Sequence, residues 1–220
     1  GANCGLHKNM TLMCHITTGF SGQPIIKWMR DIIGMKLLEE CPRKYLFSST
    51  KIFVNGAWVG VVSNPDEVNI QVKAYRRFGL ISPFISSHWE IQNNEIYIFT
   101  DGGRLCRPLL YYDSVDARFP FERKEIVSAL QQGKITWKSL VVGMNEKLVA
   151  DYSMDSPIIY TPKGLYGVET IMDIQRGKNP SIIEYVDTAE EESLLITLSY
   201  TAKDKPYTHI EIHPSILYGF

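Results

Sequence analysis

Cysteine is sparse here and unpaired in sequence. Cys4, Cys14, Cys41 and Cys106 form no C-x-x-C pair, so the ligand spacing of a structural zinc site is missing. Four irregularly spaced thiols in 220 residues also do not make a disulfide scaffold; reduced thiols in an intracellular compartment are the expectation. No stretch approaches the roughly 20 apolar residues of a membrane span, and no secretory leader pattern opens the chain. Charge of one sign is missing too: 23 Lys and Arg face 24 Asp and Glu, a net charge of -1. A free-standing nucleic-acid binder usually carries a basic balance, so any nucleic acid would meet a local patch or be held mainly by other subunits. No Ser or Cys lies in a nucleophile elbow, and no H-E-x-x-H metalloprotease helix occurs. Neither internal repeats nor low-complexity tracts are visible.

What is there is ordinary globular material: 45% hydrophobic and 21% charged residues, enough for one or two cored units. Met10, Leu12 and Cys14 alternate weakly as a strand would. Pro24 opens a helix with Ile25, Ile26, Trp28, Met29, Ile32 and Ile33 on its apolar stripe and Gly34 at its end. Residues 39–50 read as loop. Lys51 to Val62 reads as a hairpin, because Asn55-Gly56 supplies the two positive-φ positions of a type I′ turn. A helix follows, with Asn64 as cap, Pro65, Asp66 and Glu67 in the first turn, Val68, Val72 and Tyr75 as the buried stripe, and Gly79 as the stop. A second hairpin is expected at 95–110, turning at Asp101-Gly102-Gly103. Composition shifts at 111–118, a boundary; a short helix over 121–132 ends at Gly133, residues 151–181 read as loop with short strands, and strands are expected at 182–186, 193–199 and 208–212. The fold class is α+β: mixed small domains of β-hairpins and short helices, with the second half mostly β.

Three constellations are chemically suggestive. His209, Glu211 and His213 would share one face of a strand and suit a divalent metal; the competing reading, favoured because nothing nearby completes a shell, sends Ile210 and Ile212 to a core and the polar trio to solvent or a partner. Asp187, Glu190, Glu191 and Glu192 could hold magnesium, but so dense an acidic run usually seeks water as a solvated turn. Asp101-Gly102-Gly103-Arg104 resembles a phosphate loop only superficially, since no helix follows it; a hairpin turn is favoured. His15 and His88 read as structural histidines, and Trp28, Trp58, Trp89 and Trp137 as core anchors and not a base-stacking platform. The residues alone give an α+β piece without a catalytic centre.

The order of motifs carries more. Gly1-Ala2-Asn3-Cys4-Gly5-Leu6-His7-Lys8-Asn9 resembles the end of the PEGxxCGLxKN stretch of second-largest (β-like) subunits of multisubunit DNA-directed RNA polymerases. Phe53-Val54-Asn55-Gly56-Ala57-Trp58-Val59-Gly60 resembles their FVNGxWxG hairpin, and Arg76-Arg77-Phe78-Gly79 with Ile81-Ser82-Pro83 their LRRxGxIxP. Glu95-Ile96, Thr100-Asp101-Gly102-Gly103-Arg104 and Arg107-Pro108-Leu109 resemble EIxIxTDxGRxxRPL. Trp137 to Leu140, Glu184 to Glu192 and Thr208 to Ser215 resemble WxxL, EYIDxxEEE and THxEIHPS. Seven motifs in family order lean towards the RNA polymerase II-like form, and the compact spacing and the 151–181 insert fit a large DNA virus.

The resemblance implies an internal fragment, as do a first residue that is not Met and an apolar end at Ser215 to Phe220. It implies the end of the fork region over 1–20, external domain 1 over 21–112, external domain 2 over 113–200 and the start of the hybrid-binding domain over 201–220. Gly5, Leu6, Lys8 and Asn9 would be the residues nearest nucleic acid or incoming nucleotide, Lys8 as a point charge for phosphate. His7 departs from the commoner apolar residue, which puts the packing there in doubt. The chain would bind no metal and hold no catalytic residue; Mg2+ would belong to the full enzyme. Its partners would be the largest and other polymerase subunits, with DNA template and RNA met through the assembly and no membrane. The place would be intracellular: the nucleus, or host cytoplasm and virion if viral. Other classes are a free-standing interaction module descended from external domains, and a metal-dependent hydrolase using His209, Glu211 and His213.

Overall fold

The computed structural model describes residues 5, 10–112, 119, 122–141, 181–198 and 207–217. Residues 151–180 of the expected 151–181 loop and the candidate residues Leu6, Lys8 and Asn9 lie outside these. The described residues form helices and two mixed five-stranded sheets, so the α+β expectation holds.

The first sheet is ordered β2-β4-β3-β6-β5, from β2 (Lys36–Leu37), β3 (Thr50–Val54), β4 (Ala57–Val62), β5 (Ser86–Glu90) and β6 (Glu95–Phe99). The β3–β4 hairpin is as expected: Asn55 (φ 49°) and Gly56 (φ 83°) make the turn, and Val54 pairs with Ala57. One face of this sheet presents Ile52, Val54, Ile96 and Ile98 to helix α1 (Gln23–Trp28) and helix α3 (Pro65–Arg77), which bury Ile25, Trp28, Val68, Val72 and Tyr75 in the same core. The first helix changes character halfway: α1 gives way to a π turn over Met29–Ile33, closed by Gly34 at φ 77°. Asn64 occupies the cap position of α3, but its amide donates to Glu67 (3.4 Å) and makes no cap hydrogen bond.

Residues 39–50 are more ordered than a loop. A 3-10 turn covers Leu38–Glu40 and helix α2 covers Arg43–Ser48 behind Pro42. A helix under two turns shows no periodicity, so the sequence carries no sign of it.

The expected second hairpin does not form. β6 pairs antiparallel with β5 and parallel with β3, while β7 (Leu105–Tyr111) enters the second sheet. Asp101-Gly102-Gly103 is therefore a crossover between sheets, and the hairpin is β5–β6, turning at Asn94 (φ 55°). β7 is the axis of the second sheet. β8 (Ile183–Asp187) lies along one edge; β1 (His15–Ile16) and β10 (His209–Ile210) lie at either end of the other, and β9 (Ile196–Thr197) adds parallel to β10. The strands expected at 193–199 and 208–212 thus shrink to two residues each. Pro108 in a central strand looks wrong until its direction is traced. Tyr111 N–H donates to Ile182 beside β8, and Tyr112 N–H to Thr208 beside β10. Alternation aims position 108 at the β1/β10 edge, where β1 pairs only 105–106 and β10 only 110–111. A proline costs no ladder bond there. Helices α4 (Lys124–Gln131) and α5 (Trp137–Val141) cover Ile182 and Ile183 with Ile126, Leu140 and Val141.

Gly60 shows how tightly β2 is seated. A Cβ there would lie 2.5 Å from the Lys36 carbonyl oxygen, on the strand hydrogen-bonded to it. Gly60→Ala is expected to cost about 1–3 kcal/mol through overpacking, read as a lower urea midpoint at unchanged m-value.

Candidate functional site

The two sheets meet through charge. Arg76 and Arg77 end α3, and Gly79 (φ 67°) closes the helix behind them. They sit in an apolar stretch, between buried Tyr75 and buried Phe78, Leu80 and Ile81, so the Arg76 side chain enters the interior, where it is only 2% exposed. A guanidinium there needs partners of opposite charge; Nη1 and Nη2 find them, while Nε is buried without a hydrogen-bond partner.

Those partners come from β8 and the single-turn helix α6 (Thr188–Glu191). Arg76 Nη1 and Nη2 each donate to Glu190 at 2.7 Å, a bidentate fork. Nη1 also donates to the Ile85 carbonyl (3.0 Å) and Nη2 to Glu184 (3.3 Å). Arg77 Nε donates to the other Glu184 oxygen, and its guanidinium lies 4.6 Å from the Tyr111 ring centroid. Asp187 does two jobs. Its Oδ1 caps α6 by accepting from Glu190 N–H (2.9 Å); its Oδ2 accepts from Arg104 Nη1 (2.9 Å) and from the Ser86 hydroxyl. Arg104 further donates to the Phe84 carbonyl (2.8 Å). A fourth arginine on this side, Arg107 of β7, bridges Glu191 and Glu211.

The electrostatics follow from burial and pairing. Burial alone would raise the Glu184 carboxyl, but Arg77, Arg76 and the hydrogen bond from His209 overcome it and hold the group well below the usual carboxylate range. Burial alone would likewise lower the Arg76 guanidinium, and Glu190 and Glu184 overturn that, raising it above its ordinary value. An ionised Glu184 only accepts, so His209 Nε2, 2.9 Å from it, donates. Burial pushes the Cys106 thiol up to about 12, which makes it a poor nucleophile at neutral pH. Every charged partner in this junction is committed to a partner of opposite sign or to a cap. The arrangement ties the two sheets together.

The sequence candidates fall differently from expectation. His209 and Glu211 are buried, at 2% and 6% exposure, and do not face solvent: His209 turns to Glu184, Glu211 to Arg107, and His213 to the Ser215 hydroxyl (2.7 Å). They do not converge, and no group of three or more metal-ligating side chains occurs among the described residues. Purified chain is accordingly expected to take up no stoichiometric Zn2+ in calorimetric titration; one tight equivalent lost in His209→Ala would contradict this. The acidic run is not a solvated turn either. Asp187 and Glu190 are buried in the junction, and only Glu191 and Glu192 reach the surface. Gly5 is exposed at φ 144° with open space around it. His15 is structural, stacked on Phe84 with ring centroids 4.6 Å apart. Trp28 is a core anchor, whereas Trp58 and Trp137 are 37% and 40% exposed. No helix among the described residues is long and apolar enough to cross a membrane.

Comparison with known proteins bears on the motif order. Residues 52–113 match the family model of RNA polymerase Rpb2, domain 4. The chain is 30% identical over 229 residues to the DNA-directed RNA polymerase II subunit RPB2 of Encephalitozoon cuniculi, covering 100% of this chain and 16% of that protein. It is 31% identical over 234 residues to DNA-directed RNA polymerase II subunit 2 of Arabidopsis thaliana, again 100% of this chain and 16% of the relative. The RNA polymerase III subunit RPC2 of Schizosaccharomyces pombe is 28% identical over 221 residues, with 100% and 16% covered. The chain therefore spans about a sixth of the length of these relatives. Over its whole length it is similar to one stretch of the second-largest subunits of eukaryotic RNA polymerases II and III, with domain 4 of that subunit matched at residues 52–113.

Proposed function

We propose that the chain is a segment of the second-largest subunit of a DNA-directed RNA polymerase and serves DNA-templated RNA synthesis as a non-catalytic scaffold. The observation that carries this reading is the similarity along the entire chain to such subunits. The junction fits the scaffold part: Arg76 is ion-paired with Glu184 and Glu190, and Asp187 caps the helix that carries Glu190. In this reading 1–20 end the fork, 21–112 and 113–200 are external domains 1 and 2, and 201–220 open the hybrid-binding domain. Gly5, Leu6, Lys8 and Asn9 lie nearest the nucleotide. Partners are the largest and other polymerase subunits, with DNA and RNA reached through them. Mg2+ acts in the full enzyme at residues outside this chain, and the working place is the nucleus. A source in a large DNA virus, which would move it to host cytoplasm or virion, rests on the compact spacing and the 151–181 insert; the relatives named above are eukaryotic.

The test is co-purification. The natural protein that carries this chain, isolated under native conditions, is expected to bring down a largest polymerase subunit in stoichiometric amount. Recovery as a lone species would favour a free-standing module instead.

A further inference from the structure

Helix α2 (Arg43–Ser48) buries none of its six residues. A helix this short is marginal in water, and most helices in proteins are held by packing an apolar face. Apolar residues are present in α2: Tyr45, Leu46 and Phe47 stand in a row. Tyr45 and Leu46 are half-buried, but Phe47 is 89% exposed, the highest value for a large hydrophobic side chain among the described residues. Local hydrogen bonds hold the helix. Tyr45 N–H donates to the Pro42 carbonyl (2.9 Å), Ser49 N–H to the Tyr45 carbonyl (3.1 Å), and the Ser48 hydroxyl to that same carbonyl (3.2 Å). None of these covers the Phe47 ring.

Positive charge lies beside it. Arg43 stands one turn before Phe47, so the two share a helix face; Lys44 is the residue after Arg43, and both cations are exposed. Lys36 of β2, the edge strand of the first sheet, is exposed too and lies over the Tyr45 ring, 4.7 Å from its centroid. Among the described residues none of these three cations enters an ion pair. Glu40 is taken by Arg30 (2.5 Å), and Glu39 is the one other acidic residue between Lys36 and Ser48. Edge strand and helix together present one bare aromatic ring and three uncommitted cations.

We infer that α2 and β2 form a docking surface for an acidic segment of a separate protein, with Phe47 as its apolar anchor and Arg43, Lys44 and Lys36 meeting its carboxylates. Contacts of this kind concentrate their binding energy in a buried aromatic anchor, while charges around it steer a partner that arrives by diffusion. A segment of the same polypeptide is already held at high local concentration and needs no steering. A second copy of the chain docking through this same surface would set cation against cation. A nucleic-acid strand fits less well. One exposed ring makes no platform for successive bases, and a chain of net charge -1 offers a polyanion no overall attraction. The surface is a property of this chain and does not rest on the polymerase reading.

The test uses the natural protein that carries this chain, isolated under native conditions with what it binds. A water-soluble carbodiimide joins an amine to a carboxylate already in ion-pair reach, and the Lys51–Glu95 pair (2.8 Å) serves as internal control. Lys44 or Lys36 is expected to be joined to an Asp or Glu of a second polypeptide, before and after nuclease treatment. The control link without either of these, or links confined to the protein's own polypeptide, overturns the proposal. So does a link that nuclease abolishes, which would assign the surface to nucleic acid. Phe47→Ala and Lys44→Glu are each expected to reduce retention of the linked polypeptide at least about tenfold, and Phe47→Leu to keep most of it. The unfolding midpoint is expected to stay at wild type in Phe47→Ala, because so exposed a ring contributes little to the fold. Wild-type retention in both Phe47→Ala and Lys44→Glu overturns the docking role even where the link forms. A linked polypeptide that is no polymerase subunit, in a preparation without a largest subunit, would sink the polymerase reading and support the docking surface.

Discussion

Arg76→Met is expected to destabilise the chain by about 3–5 kcal/mol, the cost of breaking a buried pair from one side. The side chain is nearly fully buried, and its loss strands the Glu190 carboxylate, which it holds in a fork at 2.7 Å on both oxygens. Glu184 would keep Arg77 and His209, so Glu190 carries most of the loss. Replacing both sides together separates two explanations. If Arg76→Met/Glu190→Leu recovers most of the stability, the single mutant suffered from an unpaired buried charge and not from a lost favourable contact. Urea unfolding of the four proteins of this cycle is the measurement. A single-mutant loss within about 0.5 kcal/mol, the range of ordinary surface substitutions, would show that the junction is not buried as described.

Acid is the second strong lever. Glu184 has its folded carboxyl well below the ordinary glutamate range, while in the unfolded chain it titrates at about 4.3. A depressed folded value gives stability that is fully present above the unfolded value and lost as pH falls through the folded one. Unfolding free energy is therefore expected to be level in this respect above about pH 5 and to fall below about pH 4.3, by up to ~1.4 kcal/mol per pH unit for each proton taken up. Glu184→Gln is expected to be less stable at neutral pH and to show a shallower acid limb. An acid limb of unchanged slope in Glu184→Gln would assign the loss to other carboxylates.

The parts of this fold legible in sequence are the local ones. Asn55-Gly56 wrote the first hairpin, and Pro65 with Val68, Val72, Tyr75 and Gly79 wrote α3, because turn chemistry and helical periodicity act within a few residues. Asp101-Gly102-Gly103 misled for the same reason. It has turn chemistry, but what decides its course is that β6 is already bonded on both edges, by β5 and in parallel by β3; parallel pairing leaves no turn signature. The strands around 196 and 209 are shorter than alternation suggests, because alternating apolar residues mark a face and not the length over which a partner strand lies beside it.

The junction was half legible. Arg76 and Arg77 stand just before Gly79, the stop of a helix legible in sequence, and Asp187 to Glu192 read as an acidic run. What joins them spans 108 and 114 residues of sequence, from Arg76 to Glu184 and to Glu190, and no local rule pairs groups so far apart. A signal was present nonetheless. Arg76 and Arg77 sit between Tyr75 and Phe78, and Glu184 follows Ile182 and Ile183. Opposite charges inside apolar runs go inward with their carriers and must find each other there. The His209 and Glu211 readings failed on the same point: both side chains turned inward to existing charges, Glu184 and Arg107.

Template-directed synthesis tests directly whether this chain serves a polymerase. Native assemblies purified through a tag on the natural protein that carries this chain would be supplied with a primed DNA template, Mg2+ and labelled nucleoside triphosphates. Incorporation is expected to follow the template, to stop when the metal is chelated, and to be absent when the 220-residue chain is assayed alone. Synthesis by the isolated chain would contradict its scaffold role, and no synthesis from assemblies containing the whole subunit would contradict its place in a polymerase.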